Sequence, residues 1–520
     1  MLSHLLFCAC FCPNLFKVIF AAQPAVMNPL IHPSAYEALE KRLSELEPES
    51  LKLEPDAQTR LETREQVIRY SEEFLESNPT LKAFVIDPGQ GKAILDHPIG
   101  ENPVNMSSLL DILKTQVDTP GLNPASHGHL GYIPGGGLFY SALGDYLADI
   151  SNRYAGLFFA SPGAVRMENM LVRWMCDITG YSQAAHGTLT SGGSIANLVG
   201  IVTARDAKKL KARDFEKTVI YSSSQVHHSS DKAIRIAGLG EAIIRHIALD
   251  ERSRILPGLL KEQIIRDEQA GLKPFLIIAS MGTTNTGAID PIDEIADIAE
   301  SHNLWLHVDA AYGGFFMLCE EVRERVKGLH RADSIVMDPH KGLFIPYGLG
   351  AVLIKDGTHL TNSQHYTASY MQDAQNAVGE ISPAEASPEL TRHFRALRLW
   401  LPLLLHGLKP FKAALEEKLL LARYFETRIR EIPGFEIVSH TELSVVGFRY
   451  LPASIDPELF NKRLVEEIHK DGRVFLSSTT INGSFAIRCA VLSFRTHRAT
   501  IDLSLEILKE KAGKILEELS

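Results

Sequence analysis

From Ala185 onward the chain alternates between short apolar runs and amphipathic stretches, and this rhythm constrains the fold more than any other feature. "KTVIYSSS" and "EAIIRHIAL" read as strands flanking a helix near 229–236. "PFLIIASMGTTNTG" is a strand ending in a polar loop. "DPIDEIADIAESHN" is an amphipathic helix, with Asp290 expected as its cap and Pro291 as its first residue. "LWLHVDAAYGG" and Ser334–Met337 are strands again. Strand–loop–helix repetition of this kind predicts a mainly parallel, doubly wound α/β sheet. Ligands of such sheets gather at the carboxyl ends of strands, so the residues just past each strand are where chemistry is sought.

The flanks read differently. Residues 33 to about 114 are helical and charged, as in "SAYEALEKRLSELEPESLKLE", and "NPASHGHLGYIPGGG" (123–137) then interrupts with glycine and proline. From about residue 397, a long amphipathic helix precedes "FEIVSH", "SVVGFRYLP", the helix "DPELFNKRLVEEIHKD", "VFLSSTTING" and "FAIRCAVL". That is a smaller α+β domain, closed by a helix over 501–518. The expected organisation is an apolar extension (1–26) outside the fold, a helical segment (27–135), a large domain (136–396) and a small domain (397–520). The extension lacks the basic start of a signal peptide, and Pro13, Asn14 and Lys17 interrupt it as a spanning helix. Met27 is read as opening the working protein, and no membrane association is expected.

A net charge of −10 spread along 520 residues argues against a nucleic-acid surface. Cys8, Cys10 and Cys12 lack the second ligand pair of a zinc site, so no metal is expected. Cys176, Cys319 and Cys489 are far apart and read as buried thiols of a reducing compartment, the cytoplasm.

Three polar clusters follow predicted strands. "LTSGGSIANLVGIVTAR" is a serine- and glycine-rich turn opening a helix at about Ile195, whose free N–H groups and dipole suit a phosphate. In "LHVDAAYGG", Asp309 ends an apolar strand where an unpaired carboxylate is costly, a salt bridge to arginine being the ordinary solution. In "DSIVMDPHKGLFIPYG", Lys341 lies between apolar runs, and desolvation there is expected to lower its pKa. A snorkelling surface lysine is the plain alternative. Together, a phosphate seat, a carboxylate and a desolvated lysine at one sheet edge are what pyridoxal 5′-phosphate requires. The amine bonds to its aldehyde and the acid keeps its ring nitrogen protonated.

With "SQVHHSSDKA", "GTTNTGAIDPI", "HVDAAYGG" and "DPHKG" in that order, and 32 residues between Asp309 and Lys341, the chain resembles the group II pyridoxal-phosphate decarboxylases. These include aromatic amino acid and glutamate decarboxylases, and the resemblance runs from about residue 123 to the C-terminus. It implies a fold type I enzyme that converts an L-amino acid to its amine and carbon dioxide as a homodimer. It also implies that His227, favoured by register over His228, stacks on the cofactor ring and takes part in catalysis. Gly193 and Ser194 are implied as phosphate ligands, Thr284 as neighbour of the ring hydroxyl, and His340 as the residue preceding the cofactor lysine Lys341. Tyr370, with Tyr366 as a second tyrosine in the window, fits the loop tyrosine that reprotonates the substrate carbon, and 372–388 reads as a lid. "TRHFRALRLW" resembles the family's post-loop helix, with Arg392 or Arg395 as carboxylate, interface or structural residues.

The sequence departs from the family in two places. Asp338 stands where asparagine is usual beside the phosphate, and must be turned away or paired. "YIPGGG" has glycines where aromatic-specific relatives carry bulkier groups, which weighs against an aromatic substrate. Other readings of a lysine–aspartate pair are an aminotransferase, with Arg488 for the retained carboxylate, a carbon–carbon lyase, or a non-catalytic cofactor-binding protein. Replacement of the loop tyrosine would give oxidative deamination to an aldehyde, which an intact Tyr370 argues against.

Overall fold

The expected strands pair into one sheet in a computed structural model of the protein, which describes residues 33–365 and 380–519. After a two-residue pair, β1 (Phe84–Val85) with β2 (Gly121–Leu122), come β3 (His186–Thr190), β4 (Thr218–Ser223), β5 (Ile243–Ile247), β6 (Lys273–Ser280), β7 (Trp305–Asp309), β8 (Ser334–Met337) and β9 (Gly350–Ile354). These last seven form a sheet in the order β3-β9-β8-β7-β6-β4-β5. All neighbours are parallel except β9, which runs antiparallel to both β3 and β8. Only a short helix, Pro339–Gly342, lies between β8 and β9, so the chain turns straight back instead of crossing over.

Register decides where the site lies. Ser280 pairs with Asp309, Asp309 with Val336, Met337 with Ala351, and Thr190 with Gly350. The carboxyl ends of β3, β6, β7 and β8 therefore share one edge. Both faces are covered, as strand alternation demands: Ile277 and Ala279 enter one core, Leu276 and Ile278 the other.

Helix Ile292–Ser301 forms as expected, burying Ile292, Ile295, Ala296 and Ala299, with Asp293 and Glu294 favourably placed in its first turn. Its cap differs from expectation. Pro291 occupies the cap position, while the buried Asp290 carboxylate accepts from the backbone N–H groups of Ile255 and Ser280, both at 2.7 Å. The post-loop helix starts later than the motif suggested, at Ala396.

The C-terminal strands β10 (Phe435–Ile437), β11 (Val445–Tyr450), β12 (Ser477–Ile481) and β13 (Ser484–Ala490) make an antiparallel sheet in the order β10-β11-β13-β12. Helices Leu408–Arg430, Pro457–Asp471 and Arg498–Leu519 share its core, which includes Phe425, Phe448, Phe460 and Leu508. The interrupting stretch 123–137 is tied to this sheet by Leu130, which donates to Phe475 and accepts from Ala490.

The described chain divides into two compact units, one ending at Glu72 and the other spanning Glu73–Ser520. The first contains helix Pro33–Ser50, and the second holds both sheets. Among the described residues no helix is long and apolar enough to cross a membrane. Cys176, Cys319 and Cys489 are buried thiols, and burial pushes the first two up to about 12. The apolar extension, with Cys8, Cys10 and Cys12, lies outside the described residues.

Candidate active site

At the shared strand edge opens a cavity of about 640 Å³. Gly193, Ser194, His227, Thr284, Asp309, His340 and Lys341 all line it, although their motifs span 149 residues of sequence. Tyr370 and Tyr366 lie outside the described residues. Of the expected lid, 372–379 also lies outside them, and the remainder is anchored, contrary to the lid reading. Glu380 pairs with Arg166 and Asn169, Ser382 Oγ accepts from the Phe158 N–H, and Ala386 is fully buried.

Each wall follows from local structure. Gly193 and Ser194 open helix Gly193–Ala207, whose first N–H groups have no intrahelical acceptor. His227 caps helix His228–Ile236, its Nδ1 accepting from the Ser229 N–H at 3.2 Å, whereas His228 is exposed. Burial pushes the His227 imidazole below its ordinary pKa. His340 is fixed by donating from Nδ1 to the Leu349 carbonyl at 2.6 Å, and burial lowers its pKa as well.

Lys341 is not the low-pKa lysine its apolar neighbours suggested. Burial does act to lower its pKa, but Asp338 Oδ2 lies 2.8 Å from Nζ, and its charge and hydrogen bond, with Asp309 contributing, outweigh burial and raise it. Asp338 is thus paired, which answers the objection to a carboxylate there.

Asp309 is the decisive group. It is nearly buried at the cavity edge, yet the arginine expected of a lone buried acid is missing. Among the described residues its carboxylate accepts only from Asn197 Nδ2 (3.0 Å) and the Ala311 N–H (3.1 Å) and forms no ion pair. A carboxylate in that state suits a protonated ring nitrogen, and Lys341 in the same cavity suits an aldehyde. These residues fit pyridoxal phosphate.

The arginines serve elsewhere. Arg392, buried, pairs with buried Glu168 at 2.9 Å, and Arg395 with Glu389 at 2.7 Å, so both are structural. Arg488 spends its guanidinium on Ser477 and the Thr284 carbonyl and does not line the cavity, which weakens the aminotransferase reading. Nor do the glycines of "YIPGGG" enlarge the cavity. A Cβ on Gly136 would fall 1.6 Å from the Phe344 carbonyl oxygen, so that glycine serves backbone packing, and Tyr132 and Ile133 form the wall.

The pyridoxal-dependent decarboxylase conserved domain matches residues 88–451. The chain belongs to this family. An aromatic-L-amino-acid decarboxylase from Bacillus atrophaeus is 35% identical over 452 residues, which is 86% of this chain and 92% of the relative. A phenylacetaldehyde synthase from Arabidopsis thaliana is 28% identical over 448 residues, covering 83% and 91%. Among solved structures, Oryza sativa TDC with PLP and tryptamine superposes with a TM-score of 0.84 at 25% identity, covering 89% of this chain and 99% of that one. The protein is a pyridoxal phosphate-dependent decarboxylase of an amino acid, a carboxy-lyase of fold type I.

Two residues of this decarboxylase's site lie inside the quoted motifs but were not singled out there. Asn197 orients Asp309, and His307 orients Asn197. The available signals were weak: Asn197 follows Gly193 by about one helical turn, and His307 shares a strand face with Asp309.

Proposed function

We propose that this decarboxylase acts on an aromatic L-amino acid, as a cytoplasmic homodimer. In this reading Lys341, Asp309, His227, Thr284, Gly193, Ser194 and His340 hold the cofactor, and Lys341, His227 and Tyr370 are catalytic. The observation that carries the cofactor assignment is the buried Asp309 carboxylate, free of cationic partners in the cavity that also holds Lys341. The aromatic assignment is supported by the Bacillus relative and by a cavity wall of Tyr132, Ile133 and Tyr312. Tyr132 adopts a left-handed backbone (φ 53°) held by a hydrogen bond to Ser477 Oγ, a conformation costly for a bulky residue and typical of binding sites. The cytoplasmic reading rests on the three buried thiols.

When bound, pyridoxal phosphate supplies an aldehyde for the substrate amine and a protonated ring that takes up the electron pair left by departing carbon dioxide. Asp309 keeps the ring nitrogen protonated. Gly193 and Ser194 offer helix-start N–H groups to the phosphate. His227, held at Nδ1 by Ser229, lines the cavity and would pack against the cofactor ring. Lys341 would be the residue that bonds to the cofactor aldehyde, its amine facing the same cavity as the substrate. Tyr132, Ile133 and Tyr312 would shield the substrate carboxylate from water on their side of the cavity, which favours its loss as a neutral gas. Tyr370, directly or with a histidine, returns a proton to the substrate Cα.

Carbon dioxide release from a panel of aromatic, acidic and basic L-amino acids, with amine and aldehyde products assayed separately, tests the reading. Release with an aromatic substrate and amine product is expected, and it should vanish in Lys341→Ala together with the cofactor's absorbance band. Tyr370→Phe should lose amine formation with that band intact. Turnover of acidic or basic substrates alone would overturn the aromatic assignment.

A further inference from the structure

Behind the cavity wall runs a chain of hydrogen bonds that starts far from it. Trp305 Nε1–H donates to Ser334 Oγ at 2.8 Å, and Ser334 Oγ lies 2.7 Å from His307 Nδ1. His307 Nε2 lies 2.8 Å from Asn197 Oδ1. Asn197 Nδ2 donates to Asp309 Oδ2 at 3.0 Å and to Ser229 Oγ at 3.1 Å. Ser229 meets His227 Nδ1 through both Oγ (2.7 Å) and its N–H (3.2 Å). All members but His227 are buried.

Counting donors leaves one arrangement. An amide oxygen only accepts, so His307 carries its proton on Nε2 and donates to Asn197. Its Nδ1 then accepts from the Ser334 hydroxyl, whose oxygen accepts from Trp305. Burial keeps the His307 imidazole neutral, with a pKa lowered to about 4. The two Asn197 amide hydrogens go one to Asp309 and one to Ser229. Ser229 in turn donates twice to His227 Nδ1, placing that ring's proton on Nε2. Reversing the Asn197 amide would set oxygen against carboxylate and N–H against N–H, so the amide has one stable orientation. Helix Gly193–Ala207 also makes room for the contact. A Cβ on Gly200, one turn after Asn197, would come within 2.8 Å of His307 Cε1.

We infer that Asn197 is a positioning residue that couples two cofactor contacts, orienting the Asp309 carboxylate and, through Ser229, the His227 tautomer, with His307, Ser334 and Trp305 setting its direction. This rests on the assignment of Asp309 and His227 to the cofactor. Asn197→Asp keeps the shape but turns the donors into an acceptor facing Asp309. The test is the cofactor dissociation constant of the holoenzyme, read from loss of its absorbance band on dilution, beside kcat, KM and the melting temperature. Asn197→Asp should weaken cofactor binding by about ten-fold or more and lower kcat. His307→Leu should weaken it likewise, while His307→Gln, which keeps an N–H within reach of Asn197, should restore binding to within about three-fold. Native binding and kcat in Asn197→Asp, or a Gln variant as weak as the Leu variant, would overturn the inference. If Asn197→Asp does not fold, Ser334→Ala takes its place: weakened binding supports the relay and unchanged binding overturns it. Asp309→Ala separates the two levels. Native binding in that variant would sink the assignment of Asp309, whereas native binding in Asn197→Asp alone would sink only the coupling.

Discussion

Lys341 sits under two opposed influences, and Asp338 decides between them. Burial disfavours the ammonium, but the Asp338 carboxylate 2.8 Å away favours it more. In the cofactor-free protein this pair stabilises the fold below about pH 10, and the contribution is lost as pH rises through the raised folded pKa. Bonding to an aldehyde needs the neutral amine, so Asp338 also delays loading. Asp338→Asn should therefore shift the pH midpoint for pyridoxal phosphate uptake downward by about one unit or more, followed as growth of the absorbance band from pH 6 to 10. An unchanged midpoint would show that Asp338 does not govern the lysine. The residues of this site were legible in sequence because each ends or closely follows a strand within its own motif. The sign of the lysine's shift was not, because it depends on how the short helix Pro339–Gly342 folds Lys341 back onto the acid three positions earlier. The Asn197–His307 contact was still less legible, since its partners lie 110 residues apart and meet only when a helix packs on the sheet.

Strands and helices were readable from periodicity, while the links between them were less so. The antiparallel β9 reflects a missing crossover helix rather than any property of "GAVLI". "DP" before a helix has the form of a cap, yet Asp290 ties the end of β6 to Ile255 and leaves the cap position to Pro291. That role has a pH signature. Burial raises the Asp290 carboxyl to about 6, so the folded state holds a proton between about pH 4 and 6 that the unfolded chain has released. The group's contribution to stability then rises as pH falls through that window, by roughly 2 kcal/mol. Asparagine at 290 can accept from only one of the two N–H groups and does not titrate. Asp290→Asn should melt below the native protein at pH 7, and the gap should widen at pH 5. An equal gap at both values would show that Asp290 is ionised throughout.

At the scale of the molecule, helix Phe139–Ser151 presents Phe139, Leu143, Tyr146, Leu147 and Ile150 to solvent on one face, with Ile150 70% exposed. Monomers seldom leave so continuous an apolar strip uncovered. Burying each leucine is worth about 1.5–3 kcal/mol, which supports the homodimer proposed above. The double variant Leu143→Glu with Leu147→Glu removes two such contributions and adds charges that burial penalises. Its dimer dissociation constant should rise by about a thousand-fold or more, giving monomers at micromolar concentration in sedimentation velocity while the native protein stays dimeric. If the partner completes the substrate wall, activity should fall with the dimer fraction on dilution, and pyridoxal phosphate should remain bound, since the residues proposed to hold it belong to one chain. A native protein that sediments as a monomer would end the dimer reading. A monomeric variant with full turnover would keep the chemistry but place the whole substrate pocket within a single subunit.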